Sequence, residues 1–336
     1  MEYYGTLGPA CCKTEILKEM LENGMTGIRL NLSHKSLKES EAWIQNYFSA
    51  ADTMQCSPGF MIDLMGPELR IGQLEEDIEL RIGEKIVLGE EGIPVPKEIF
   101  LQLTSGQMVL LDDGKIQIKA REKVSEEGWT FEIVRGGTLT SKKSIALPGC
   151  QVESPTLTKQ DLANLMQAKE YGVTDVMLPF VRGKKDLICL REVLNEYDCS
   201  NIRIFAKIEN LDGIRHLEEL LDYCDYIVIA RGDLGNAIPL PKLPCAQDYI
   251  ADICRKNKKK FLVVTQMLNS MIQNPFPTRA EVSDIYQAIK QGASAVMLTG
   301  ETAQGKYPAE AMKTLWETGK AAEEYLNRYK KSPAAV

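Results

Sequence analysis

Short aliphatic or β-branched runs recur along the chain, and most are followed by a longer stretch with helical spacing of apolar positions. The runs fall at Tyr3–Leu7, Thr26–Leu32, Gly59–Leu64, Asp175–Pro179, Arg203–Ile208, Tyr226–Ala230, Phe261–Thr265 and Ala295–Thr299. Helical patterns fill Lys13–Asn23, Ser36–Ala50, Lys159–Tyr171, Lys184–Tyr197, Gly213–Leu221 and Leu243–Asn257. Such an alternation predicts the α/β class and a (β/α)8 TIM barrel. A six-stranded doubly wound sheet would leave two strands unplaced. No repeat of fixed period is visible.

The alternation breaks after the third run. From Pro67 to Pro148 helical periodicity fades, and short runs at Lys85–Leu88, Val109–Leu111, Ile116–Ala120 and Thr130–Ile133 are set apart by Gly114, Gly128 and Gly136-Gly137. The expectation is a β-barrel-like insert over 67–148, of about 80 residues. The barrel domain is then 1–66 and 149–336, with hinges at Gly66-Pro67 and Pro148-Gly149. An insert on that loop is placed to act as a lid over the C-terminal mouth, where the active sites of this fold lie.

A barrel interior is built of apolar side chains, so inward polar ones point to function. Strand alternation puts Arg29, Asn31 and Ser33 on one face and Leu30 and Leu32 on the other. Asp63 falls at the end of its run, and Lys207 and Glu209 share a face opposite Ile208. A buried Lys–Glu pair costs several kcal/mol in desolvation and needs a reason. The next run ends in Arg231-Gly232-Asp233, which places Glu209 and Asp233 on neighbouring strands, a carboxylate pair suited to Mg²⁺. Gly232 lets a ligand approach its backbone. Thr265 and the segment Thr299-Gly300-Glu301-Thr302 offer hydroxyls, or else helix N-caps. A divalent metal and fixed cations around an anionic substrate suit phosphoryl transfer. Neither a Walker motif nor the protein-kinase motif set is present.

Composition narrows the classes. The chain has 336 residues and a net charge of −7, an acidic balance that argues against a nucleic-acid partner. No run of about 18 uncharged apolar residues suggests a membrane span, and the N-terminal residues lack a signal-peptide pattern. Nine scattered cysteines without a C-x-x-C pair suggest reduced thiols and a cytoplasmic location, and two histidines make a His-rich metal site unexpected.

Taken in order, Thr6-Leu7-Gly8-Pro9-Ala10, Arg29-Leu30-Asn31-Leu32-Ser33-His34, Gly66-Pro67-Glu68-Leu69-Arg70, Asp112-Asp113-Gly114, Ser141-Lys142-Lys143 and Leu147-Pro148-Gly149 resemble the pyruvate kinase family. The resemblance continues through Lys207-Ile208-Glu209-Asn210, Ala230-Arg231-Gly232-Asp233-Leu234-Gly235, Thr265-Gln266-Met267-Leu268, Asn274 to Glu281, Gly300-Glu301-Thr302-Ala303 and Gly305-Lys306-Tyr307-Pro308. It implies phosphoryl transfer from phosphoenolpyruvate to ADP, giving pyruvate and ATP. It also implies that Glu209 and Asp233 hold Mg²⁺ (or Mn²⁺), Lys207 neutralises the phosphoryl in flight, and Arg29 grips phosphate. The backbone of Gly232 and Asp233, with Thr265, would hold the substrate carboxylate, and Thr265 would belong to the route that protonates the enolate. Asn31, Ser33, Asp63 and the Leu64 carbonyl would bind K⁺, with Glu68 matching K⁺-dependent members, and Pro9, His34, Arg70 and Lys143 would meet the nucleotide.

Three departures stand out. Leu64-Met65 replaces the Thr-Lys usual in this family, and Asn236-Ala237 replaces an apolar–Glu pair. The chain ends at Val336, where typical members continue into an effector-binding α/β domain. The expectation is that this domain and its regulation are absent, leaving a homodimer through Asn274–Glu281, or a separate chain supplying the domain. Two other classes stay open at this stage. One is a non-catalytic phosphoenolpyruvate or nucleotide sensor, favoured by Leu64 and Met65. The other is a phosphoenolpyruvate-handling lyase or mutase, which would not need Arg70 and Lys143.

Overall fold

The computed structural model describes residues 1–67, 69–101, 103–112, 114–148 and 155–331. Glu68, Asp113, Gly149 and Cys150, each singled out in the sequence, lie outside the described residues. Eight parallel strands close into a barrel: β1 (Glu2–Thr6), β2 (Gly27–Asn31), β3 (Gly59–Asp63), β4 (Asp175–Leu178), β5 (Arg203–Ile208), β6 (Tyr226–Ala230), β7 (Lys260–Val264) and β8 (Ala295–Met297). Each pairs with the next, and β8 returns to β1. Hydrophobic residues continue through these strands because helices cover the outside while side chains fill the inside.

Inside, the side chains fall into three tiers. The middle tier is apolar: Met61, Met177, Phe205, Val228, Leu262 and Met297 are fully buried. The strand starts carry charge. Arg203 bridges Asp175 at 2.5 Å and Glu2 at 3.1 Å. Glu2 accepts hydrogen bonds from the hydroxyls of Tyr4 at 2.6 Å and Tyr226 at 2.7 Å. Tyr226 in turn stacks on Phe205 with ring centres 4.3 Å apart. This base satisfies its buried polar groups internally, as burial requires. The strand ends form the third, polar tier: Thr6, Arg29, Asp63 and Lys207.

Helices follow the strands where periodicity places them, with changes that have local causes. The stretch expected as one helix from Gly213 to Leu221 is Leu211–Arg215 and Leu217–Leu220, separated at His216, which leaves helical geometry, and followed by a 3₁₀ turn. Helix Lys184–Glu196 has no side-chain N-cap at Gly183, but Asp186 in its first turn accepts from the Arg182 backbone N–H at 2.8 Å and from the Thr156 hydroxyl at 2.5 Å. Burial alone would raise the Asp186 carboxyl, but the hydrogen bonds from Arg182 and Thr156 and the Arg182 charge hold it below its usual value. A carboxylate held low in the folded state stabilises above its unfolded pKa of about 4, and that stability is lost as pH falls through the folded value. Asp186→Asn is therefore expected to make the acid limb of a urea-midpoint-against-pH curve shallower; an unchanged limb would show that Asp186 carries none of it.

The chain divides into two compact units: Met1–Gly66 with Thr156–Leu234 and Pro241–Val336, and Pro67–Pro155 with Gly235–Leu240. The second unit is all-β in its strands. An antiparallel sheet of order Ile145–Ala146, Met108–Leu111, Ile116–Ser125, Gly128–Arg135, Lys85–Gly89 accompanies a two-stranded pair, Ile78–Leu80 with Gly137–Leu139. Among the described residues Lys85–Gly89 and Ile145–Ala146 are the two edges of this sheet. Strand alternation supplies its core: Ile116, Ile118 and Ala120 meet Phe131 and Ile133, all buried.

Candidate active site

Four charged groups meet at the ends of three strands. Asp63, the last residue of β3, takes Arg29 Nε at 2.8 Å and Nη2 at 2.5 Å. Lys207 Nζ lies 3.4 Å from Asp63 and 3.0 Å from Glu209, which follows β5. These positions are forced by alternation, since Arg29, Asp63 and Lys207 occupy inward-facing places of parallel strands. All four side chains are largely or wholly buried.

The electrostatics follow from that burial. Burial would raise Asp63, but Lys207 and Arg29 together hold its carboxyl below the usual range. Burial would lower Lys207, but Asp63 and Glu209 push its ammonium up, so it stays charged. For Glu209 burial wins: it pushes the carboxyl up against the pull of Lys207, and the Asp233 charge adds to the rise. Glu209 Oε2 accepts the Phe180 backbone N–H at 2.8 Å, whereas its Oε1 is buried without a hydrogen bond. Although Lys207 Nζ is close to that oxygen, the contact is one of charge rather than an aligned hydrogen bond.

Asp233 and Gly232 lie on Arg231–Ala237, the short helix that follows β6. A Cβ on Gly232 would stand 3.2 Å from Thr265 Cγ2, so the Gly232 backbone and the Thr265 side chain are neighbours. β7 stops at Val264, and Thr265 and Gln266 adopt φ of +82° and +56°. Thr265 is thus not the helix N-cap its position allowed. Thr299 does precede the helix Gly300–Ala303, but its side chain caps nothing; Glu301 instead accepts the Thr299 and Leu268 backbone N–H groups at 2.8 and 3.0 Å. Thr302, on that helix, ties it to β1 by accepting the Thr6 backbone N–H at 2.8 Å.

Asn31 Oδ1 accepts the Ser33 backbone N–H at 3.0 Å. The Leu64 side chain is buried and its N–H donates to the Met177 carbonyl. Pro9 follows Gly8, whose missing Cβ leaves room for Ala303, and His34 is exposed. In the second unit Arg70 donates to the Lys142 carbonyl at 2.9 Å, and Lys143 pairs with Asp112 at 2.8 Å. Asn236 lies against Gly114 in the same unit, which gives that departure a local setting.

One clamp escaped the sequence reading. Asp161 is fully buried, forms a capping box with Thr158, and also accepts the backbone N–H groups of Met65 and Gly66 at 2.8 and 3.1 Å. It fixes the backbone at Met65 and Gly66, beside Leu64. The T-x-x-D capping pattern was readable; its reach across the fold was not.

Among the described residues no three histidine, cysteine or acidic side chains cluster to hold a metal. The eight described cysteines are free thiols. No described helix is long and apolar enough to cross a membrane.

The barrel domain of pyruvate kinase matches residues 2–312. A Bacillus licheniformis pyruvate kinase is 37% identical over 335 residues, which is 97% of this chain and 57% of that protein. The Geobacillus stearothermophilus pyruvate kinase is 37% identical across 96% of this chain and 56% of its own length. One from Chlamydia muridarum is 37% identical across 92% of this chain and 66% of its own. The chain thus spans little more than half the length of the first two. A pyruvate kinase barrel-domain match over residues 2–312, with relatives 37% identical across nearly all of the chain, places it in the pyruvate kinase family.

Proposed function

We propose that the protein transfers the phosphoryl group of phosphoenolpyruvate to ADP. The observation that carries this reading is the buried Arg29–Asp63–Lys207–Glu209 network, which concentrates two cations and two carboxylates where the fold builds its sites. Desolvating such a set costs several kcal/mol, and an anionic substrate gives that cost a use. In the reaction the bond between phosphorus and the enol oxygen breaks and one to a terminal oxygen of ADP forms. The enolate left behind takes a proton at its methylene carbon and becomes pyruvate. Lys207 stays protonated and neutralises charge on the phosphoryl oxygens, and Arg29 orients them. The Gly232 and Asp233 N–H groups and Thr265 hold the carboxylate, and Thr265 lies on the proton route. Pro9, Arg29 and His34 are proposed on the nucleotide side of the barrel unit, and Arg70 and Lys143 are proposed as nucleotide contacts of the other.

The donor set suits a hard divalent cation, since Glu209 Oε1 is a buried acceptor without a hydrogen bond and Asp233 is near enough to influence its charge. Glu209 and Asp233 would hold Mg²⁺ (or Mn²⁺), which supplies further charge neutralisation for the transferred group. Asn31, Ser33, Asp63 and the Leu64 carbonyl form an all-oxygen set for K⁺. Only the backbone of Leu64 is needed there, so the lost threonine hydroxyl is mild.

Pyruvate formation from phosphoenolpyruvate and ADP, followed in a coupled assay with Mg²⁺, is expected to rise with K⁺. A folded, Mg²⁺- and K⁺-loaded protein without turnover would overturn the reading. Calorimetric phosphoenolpyruvate binding in that silent protein would identify a sensor instead.

A further inference from the structure

Thr265 holds a backbone conformation that its side chain disfavours. It is β-branched with φ of +82°, and Gln266 beside it is also left-handed at +56°. A branched residue there is an outlier that persists only where surrounding contacts over-determine it. The contacts are specific. Arg231 sends Nε and Nη2 to one acceptor, the Thr265 carbonyl, at 3.1 and 2.6 Å. The same Nη2 lies 3.0 Å from Met267 Sδ, and Nη1 pairs with Asp284 at 2.7 Å. The guanidinium is largely buried. A planar fork with three of its nitrogens engaged at fixed angles sets the carbonyl direction, and hence the turn, in a way that a lysine point charge cannot. At the far end of the turn Glu301 fixes the Leu268 N–H.

We propose that Arg231, anchored by Asp284, is a positioning residue for the phosphoryl-transfer reaction. It does not touch substrate; it holds Thr265 in the left-handed conformation that turns its side chain toward the Gly232 backbone. This rests on the kinase reading above, in which Thr265 and Gly232 bind the same carboxylate. Arg231 stands next to Gly232 in the chain, so one residue joins the two halves of that pocket: its backbone leads into Gly232 and its side chain holds Thr265.

The test is a double-mutant cycle on the full chain. Arg231→Met is expected to lower kcat about a hundredfold with phosphoenolpyruvate KM changed less than threefold, and Arg231→Lys to recover only a small part. In a Thr265→Ala background the same Arg231→Met change is expected to cost less than threefold, because the residue it serves is gone. A merely structural role would cost the same factor in both backgrounds, and that result overturns the proposal. Amide exchange at 265–268, read by mass spectrometry, is expected to quicken in Arg231→Met. Should Arg231→Met fold poorly, Asp284→Asn keeps the guanidinium and is expected to lower kcat about tenfold with the same dependence on Thr265. Turnover in the wild type with both variants within threefold of it overturns the positioning alone. A wild type that neither binds nor turns over phosphoenolpyruvate overturns the kinase reading, and the role of Arg231 with it.

Discussion

Replacing Lys207 by methionine is expected to lower pyruvate formation by about a thousandfold while the barrel remains folded. Methionine has a similar length and keeps the apolar stem, but in the proposed reaction it would leave the transferred phosphoryl group without a fixed ammonium. It also leaves Asp63 and Glu209 with one cation instead of two. The Glu209 carboxyl, already pushed up by burial and opposed by Lys207, would be pushed up further. Activity within tenfold of wild type would remove Lys207 from the centre of the mechanism.

The second large effect is on stability. Asp63 is the carboxylate shared by Arg29 and Lys207, and it is fully buried. Asp63→Ala would leave two cations facing each other inside the mouth with Glu209 as the neighbouring counter-charge. Removing one member of a buried charged set costs about 3–5 kcal/mol, more than the lost contacts alone, because the orphaned charges remain desolvated. For a domain of this size that corresponds to a fall in melting temperature of roughly 10 °C. Thermal and urea unfolding would measure it, and a loss below about 1 kcal/mol would mean that water reaches the cations and screens them. Asp63→Asn, which keeps the volume, separates the charge from the packing.

Much of the fold was legible because parallel barrel strands are continuous apolar runs. Tyr226–Ala230 and Arg203–Ile208 stand where periodicity put them, and the others differ by one or two residues at their ends. Lys207 and Asp63 were legible for the complementary reason: a charge that keeps the alternation of a buried strand has to face inward. What stayed hidden depends on distance in the chain. Glu2, Asp175 and Arg203 are each unremarkable where they stand, and only closure of the barrel brings them together. The left-handed turn at Thr265 was equally hidden, since no glycine or asparagine marks it and the contacts that impose it come from Arg231 and Glu301. Asp161 drew no notice in the sequence, because its hold on Met65 and Gly66 is tertiary.

The three tiers of the barrel interior have an electrical consequence. Between the charged base and the charged mouth lies a slab of side chains that carries no ionisable group, built from Met61, Met177, Phe205, Val228, Leu262 and Met297. Among the described residues, those six side chains offer no group that takes up or releases a proton, so they supply no relay between the two ends. A change of charge at the base therefore reaches the mouth through the field and the packing of the slab, not by handing a proton across it.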